Sequence, residues 1–170
     1  MILAVDAAYH TDTALVAGIL FQEWSDEQPY REVTKRVSPV NAYVPGEFYL
    51  RELPCILALL PHLEQRPEII IIDGHVYLGA DSQPGLGRHL YDALAGQVAV
   101  IGVAKSSFKG TPKATAVYRG QSKRPLYVTA AGMDEETARE CIRTMPGSYR
   151  IPTLLKRVDL LSRDKAGSSL

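Results

Sequence analysis

A chain of 170 residues with 46% apolar content is long enough for one domain with a sizeable core, which excludes disordered and fibrous classes. The formal net charge is zero, but residues 1–100 carry 6 Lys and Arg against 13 Asp and Glu, and residues 101–170 carry 13 against 6. The acidic half suits a cation and the basic half a phosphate track, so a polyanionic partner is not excluded.

Taken in chain order, residues 2–5 read as a buried strand ending at Asp6. After a polar turn at 10–13, residues 14–24 predict a second strand antiparallel to the first, and 32–40 a third beyond a turn at 25–30. A helix is expected over 47–63, with Leu50, Leu53, Leu57 and Leu60 on one face and Pro54 kinking or splitting it. Residues 67–72 form the fourth strand, whose Ile69-Ile70-Ile71-Ile72 run implies burial on both faces and ends at Asp73. A glycine-containing loop spans 74–87, a helix 88–94 and a fifth strand 98–103. Residues 117–118 and 126–129 predict a hairpin. A helix from Asp134, with an acidic first turn, buries Ala138, Cys141, Ile142 and Met145. The last helix starts near Pro152 and carries Leu154, Leu155, Val158 and Leu161. One domain over 1–165 with a frayed tail at 166–170 is expected.

Cys55 and Cys141 are too few for a disulfide framework and read as reduced buried thiols of a cytoplasmic protein. No apolar run reaches membrane-span length, and Asp6 interrupts the apolar start, so neither a span nor a secretory leader is expected. Three antiparallel strands, then helix, strand, helix, strand, predict an α/β fold: a mixed sheet flanked by helices. An RNase H-like fold has this order, and so do several other α/β folds.

A carboxylate at the end of a buried strand costs free energy unless a cation meets it. Asp6 and Asp73 both stand there, and two oxygen ligands on neighbouring strands suit Mg²⁺. Taken singly, either could be a loop cap. Glu52 lies close to the buried face of its helix, where a solvated helix charge is the ordinary reading. Asp159 borders the apolar stripe of the last helix and either pairs with Arg157 or Arg150 or turns toward the metal. Lys105 ends the fifth strand and points into the usual ligand crevice, placed to meet a phosphate. A Walker A loop and a Gly-x-Ser-x-Gly elbow are absent, and the isolated Cys and dispersed His disfavour zinc.

These residues carry a resemblance. Val5-Asp6-Ala7-Ala8-Tyr9, Tyr43-Val44-Pro45-Gly46 with Arg51-Glu52, Ile72-Asp73-Gly74-His75 and Gly102-Val103-Ala104-Lys105-Ser106 follow one another in the order of the endonuclease V motifs. Gly85-Leu86-Gly87-Arg88-His89-Leu90 and Tyr149-Arg150-Ile151-Pro152 with Asp159 add to them. The chain thus resembles the endonuclease V family, which cuts near inosine, over nearly its whole length. The resemblance implies an RNase H-like fold and metal-dependent hydrolysis of the second phosphodiester 3′ to inosine, leaving a 3′-hydroxyl and a 5′-phosphate. It also implies Mg²⁺, or Mn²⁺ as an alternative, on Asp6, Asp73 and Glu52, with Lys105 and Asp159 completing the catalytic set. Tyr43, Pro45 and Gly46 would form a wedge loop, and Gly74, His75 and Ser106 would contact inosine-containing DNA or RNA.

Departures from the family are also present. The first strand begins at residue 2, without the usual N-terminal extension. Ala42 stands where proline precedes the wedge tyrosine. Val76 replaces a glycine and is expected to narrow or reshape the base pocket. Gly79-Ala80-Asp81 replaces a basic His-Pro-Arg segment, and Thr153-Leu154 a Glu-Pro pair. Three competing readings are a related nuclease for inosine RNA, branched or single-stranded DNA, a non-catalytic nucleic-acid binder, and a small-molecule phosphohydrolase.

Overall fold

The structure is a computed structural model that describes residues 1–164; the expected tail at 166–170 lies outside the described residues. Strand β1 (Ile2–His10) pairs antiparallel with β2 (Thr13–Phe21), in register from Ile2 opposite Phe21 to His10 opposite Thr13. β1 therefore runs on past Asp6, because β2 continues to supply hydrogen-bond partners there. β3 (Arg31–Val37) pairs antiparallel with β2 and closes one edge of the sheet.

Helix α1 (Tyr49–Leu59) crosses to β4 (Ile69–Asp73), which lies parallel to β1. The expected loop holds a small ribbon of β5 (Tyr77–Leu78) and β6 (Gln83–Pro84), followed by α2 (Leu86–Ala93). β7 (Ala99–Ala104) runs parallel to β4. β8 (Ala116–Val117) and β9 (Leu126–Ala131) make the expected hairpin, with β9 antiparallel to β7. α3 (Glu135–Thr144), capped by Asp134 on the Thr137 amide, and α4 (Thr153–Ser162) complete the chain. The seven-stranded sheet reads β3-β2-β1-β4-β7-β9-β8.

The isoleucine run is buried on both faces, as its lack of alternation implies. Ile70 and Ile72 pack with Leu3, Val5 and the α1–α2 layer, while Ile71 packs with Ala4, Ile101 and the α3–α4 layer. Three expectations change. The buried stripe of α1 is Glu52, Cys55, Ile56 and Leu59, whereas Leu50 is exposed. The helix is not split at Pro54, and the Leu50 carbonyl that proline leaves unbonded accepts from Asn41 Nδ2 at 2.8 Å. Cys141 is only half-buried, since Ala138 and Ile142 fill the face of α3 that meets the sheet.

Candidate active site

Val5 lies opposite Ile72 in parallel strands, so Asp6 and Asp73 leave neighbouring central strands at the same level. Glu52 reaches them from α1 on one face of the sheet, and Asp159 from α4 on the other. All four carboxylates line one open cleft together with Tyr9, Phe48 and Arg163. Four acidic groups from four elements, far apart in sequence, thus share one space.

Glu52 is only 4% exposed, which corrects the solvated reading of this helix charge. It falls at the i, i−3, i−4 and i−7 side of Cys55, Ile56 and Leu59, so docking α1 on the sheet carries it inward. Burial, then the charges of Asp6 and Asp73, push its carboxyl up to about 8. Burial, then Asp73, raise Asp6 to about 6, even though Ser162 Oγ donates to Asp6 Oδ2 at 3.1 Å. These two groups resist ionisation because like charges crowd a partly dry site, and a cation relieves that cost.

Part of the charge is met by the protein. Lys105 Nζ donates to Asp73 Oδ2 at 2.7 Å and lies 3.7 Å from Asp159 Oδ1. Burial works against its ammonium, but Asp73, Asp159 and Asp6 together hold its pKa above the usual lysine value. Asp159 is 6% exposed. Burial would raise its carboxyl, yet Lys105, Lys156 and Arg163 hold it below the usual range. Its partners are therefore Arg163 (2.7 Å), Lys156 (3.3 Å) and Lys105, not Arg157 or Arg150. Arg157 bonds Glu32 and Gln28 instead, and Arg150 bonds the backbone carbonyls of Lys105 and Pro125.

The donor set fits a hard divalent cation, being all carboxylate oxygen. Among the described residues no three His, Cys, Asp or Glu side chains stand together closely enough to hold a metal ion as they are placed. Asp73 and Asp6 are turned to Lys105 and Ser162. A partial shell still suits Mg²⁺, which keeps several waters and uses one or two carboxylates.

A second cleft adjoins the first, lined by Gly46, Phe48, Asp73, Gly74, His75 and Gly85 among others. Gly74 has φ +147°, and a side chain there would project into open space. His75 Nε2 bonds the Ser106 carbonyl at 3.1 Å, joining the loop after β4 to the loop after β7. β7 makes this possible at Gly102, where a Cβ would meet the Gly74 carbonyl oxygen at 2.5 Å. Val76 does not line the cleft. Its side chain is fully buried with Ile72, Leu86 and Leu90, and its amide donates to Thr129 Oγ1 at 2.8 Å, so it does not project into the opening. Tyr43 stands exposed on the loop bearing Pro45 and Gly46, edge-on to Phe48.

A model of the Endonuclease V family matches residues 1–124 of this chain. The chain belongs to the endonuclease V family. The endonuclease V of Rhodospirillum centenum is 32% identical over 143 residues, covering 72% of this chain and 58% of that protein. The chain thus spans less than two thirds of that relative's length. Endonuclease V from Streptomyces avermitilis has the same fold, with a TM-score of 0.76 at 28% identity over 98% of this chain and 81% of that one. The Ciona intestinalis endonuclease V, solved in complex with a 24mer DNA containing an inosine followed by a ribo-adenosine, matches with a TM-score of 0.77 at 20% identity over 98% and 85%. The mixed sheet is accordingly the RNase H-like sheet of endonuclease V. No helix among the described residues is long and apolar enough to cross a membrane.

Two residues at the endonuclease V cleft escaped the sequence reading. Ser162 and Arg163 follow Asp159 by three and four positions, the spacing that puts helix side chains on one face, and that signal was available. Tyr9 was visible only as part of a motif. Burial, then Glu52, raise its phenol, and the Arg51 guanidinium lies 4.0 Å from its ring centroid.

Proposed function

We propose that this protein is an Mg²⁺-dependent endonuclease that hydrolyses the second phosphodiester 3′ to inosine in DNA or RNA, leaving a 3′-hydroxyl and a 5′-phosphate. The observation that carries the reading is the convergence of Asp6, Glu52, Asp73 and Asp159 on one cleft beside Lys105. A pure binder of polyanions has no use for four carboxylates that repel phosphate.

Asp6 and Asp73 would hold the ion, and Glu52 would complete the site. When bound, Mg²⁺ or Mn²⁺ supplies Lewis-acid polarisation of the phosphate and a lowered pKa for the attacking water. Asp159, kept ionised by its three cationic neighbours, accepts a hydrogen bond from that water and orients it. Lys105 Nζ donates to a non-bridging phosphate oxygen and offsets the charge that builds there. Tyr43 wedges the strand while Pro45 and Gly46 shape the loop beneath it. The extruded base enters the cleft at Gly74, His75 and Ser106, where backbone approaches without an intervening side chain. Extrusion costs a few kcal/mol, and least for a mispaired base, which favours lesions.

The test is cleavage of matched oligonucleotides, with and without inosine, as DNA and as RNA, in Mg²⁺ and then in chelator. A cut one nucleotide beyond inosine that chelator stops and Asp6→Asn abolishes is expected. Full activity in the Asp6→Asn protein ends the metal reading. Equal cutting of strands without inosine leaves a nuclease of different substrate.

A further inference from the structure

One part of the surface is not used by the proposed chemistry. Between Asp92 and Asp134 the chain carries six Lys and Arg and no Asp or Glu. Two of the six are already engaged: Lys105 in the cleft, and Arg119, which is buried and donates to backbone carbonyls. Lys109, Lys113, Lys123 and Arg124 are exposed.

The sheet register decides where part of this segment lies. Asp73 pairs with Val103, Ala104 with Tyr127, and Val117 with Leu126. Lys105 after β7, Arg124 before β9 and Tyr118 after β8 therefore all emerge at the sheet edge where β4 delivers Asp73. Asp73 and Tyr118 are separated by three strand spacings, roughly 14 Å, or about four base steps of duplex.

Aromatic surface accompanies the charge. Tyr118 is 59% exposed and Tyr149 is 81% exposed. Their segments abut: a side chain at Gly120 would collide with the Ser148 carbonyl, and Arg119 Nη1 donates to the Tyr149 carbonyl at 3.0 Å. Beside them, burial and then the charge of Arg124 push the Arg150 guanidinium down. Arg124 and Arg150 share this edge, and among the described residues no carboxylate is paired with either, which favours an anion there. Alternating cations and stackable rings are what a nucleic-acid strand requires.

We propose that the edge formed by Tyr118, Lys123, Arg124 and Tyr149 binds the nucleic-acid flank about four nucleotides from the cut, the rings stacking and the cations meeting phosphates. This rests on the nuclease reading and adds to it a second contact region remote from both inosine and ion.

The test is a fluorescence-anisotropy titration of the whole chain with an inosine duplex, Ca²⁺ replacing Mg²⁺, on long flanks and on flanks trimmed to three base pairs. Tyr118→Ala should weaken binding of the long duplex about tenfold. Lys123→Ala with Arg124→Ala should lower the salt slope by about 1.8. Both differences should vanish on the trimmed duplex, with thermal midpoints unchanged. Variants that bind the long duplex like the wild type, or lose affinity equally on both duplexes, overturn the flank proposal. Wild-type cleavage of the same duplex in Mg²⁺ reports separately on the nuclease reading, and a wild type that neither binds nor cuts sinks both.

Discussion

Lys105 Nζ donates to Asp73 Oδ2 at 2.7 Å, so an ammonium sits on a carboxylate proposed to hold the ion. The two cations share one ligand. Lys105→Ala should therefore lower kcat by roughly 10²–10³ through the loss of phosphate stabilisation, while tightening the apparent affinity for Mg²⁺. Activity titrated against Mg²⁺ concentration checks both directions, and a raised Mg²⁺ requirement with full kcat contradicts them.

Without metal, the acidic cluster works against the fold as pH rises. Asp6 and Glu52 have folded pKa values raised to about 6 and about 8, above those of the unfolded chain. A raised carboxyl pKa means that the folded state holds the proton more tightly. The contribution is fully present below about pH 4 and is lost as pH rises from there, by about pH 6 for Asp6 and by about pH 8 for Glu52. Thermal midpoints in chelator should fall across that window, and Mg²⁺ should raise them more at pH 8 than at pH 5. Glu52→Gln should remove much of the fall, stabilising the metal-free protein at pH 8 by on the order of 2 kcal/mol. A flat profile in chelator contradicts this account.

Val76→Gly restores a residue typical of the family, yet the structure assigns the valine to the core. Its Cγ2 would lie 2.6 Å from a Cβ built at Gly87, so the α2 contact is shaped around it. The substitution should cost about 3 kcal/mol in urea unfolding, from lost burial and added backbone freedom. Inosine selectivity should stay unchanged, because the side chain faces away from the cleft.

Arg119 is buried and its guanidinium donates to the carbonyls of Arg143, Met145, Gly147, Tyr149 and Arg150. It thereby ties the end of α3 to the start of α4, the helix that bears Asp159. Arg119→Met should destabilise the protein by about 3 kcal/mol, since several carbonyls lose a charged donor at once. Arg119→Lys should recover little of this, because a single ammonium cannot span the fork. Denaturant midpoints for the two variants provide the check.

Much of the fold was legible in the chain. Ile69-Ile70-Ile71-Ile72 lacks alternation, and a strand with that pattern must be covered on both faces. The hairpin at β8 and β9 and the capped start of α3 were equally local, written in turn residues and a first-turn aspartate. Helix α1 was misread at its face. Leu53, Leu57 and Leu60 pack at the margin of the core as expected, but Leu50 is exposed, and the helix docks on Cys55, Ile56 and Leu59 and takes Glu52 with them. Sequence spacing marks the faces of a helix; which face is buried depends on the surface it meets.

The site divides in the same way. Asp6 and Asp73 declared themselves, because each is a charge placed where an apolar run stops. The partners of Asp159 did not: Lys105 comes from β7 and Arg163 from the same helix, while the two arginines expected beside it are held elsewhere. The chain alone determined most of the strands, their burial and the two carboxylates that stop the apolar runs, since these follow from local periodicity and the cost of burying charge. Only the folded sheet decided that Glu52 and Asp159 join them, that Lys105 stands on Asp73 and that Val76 turns away. Those are distances between segments far apart in the chain, set by register and by which helix face packs on which side of the sheet.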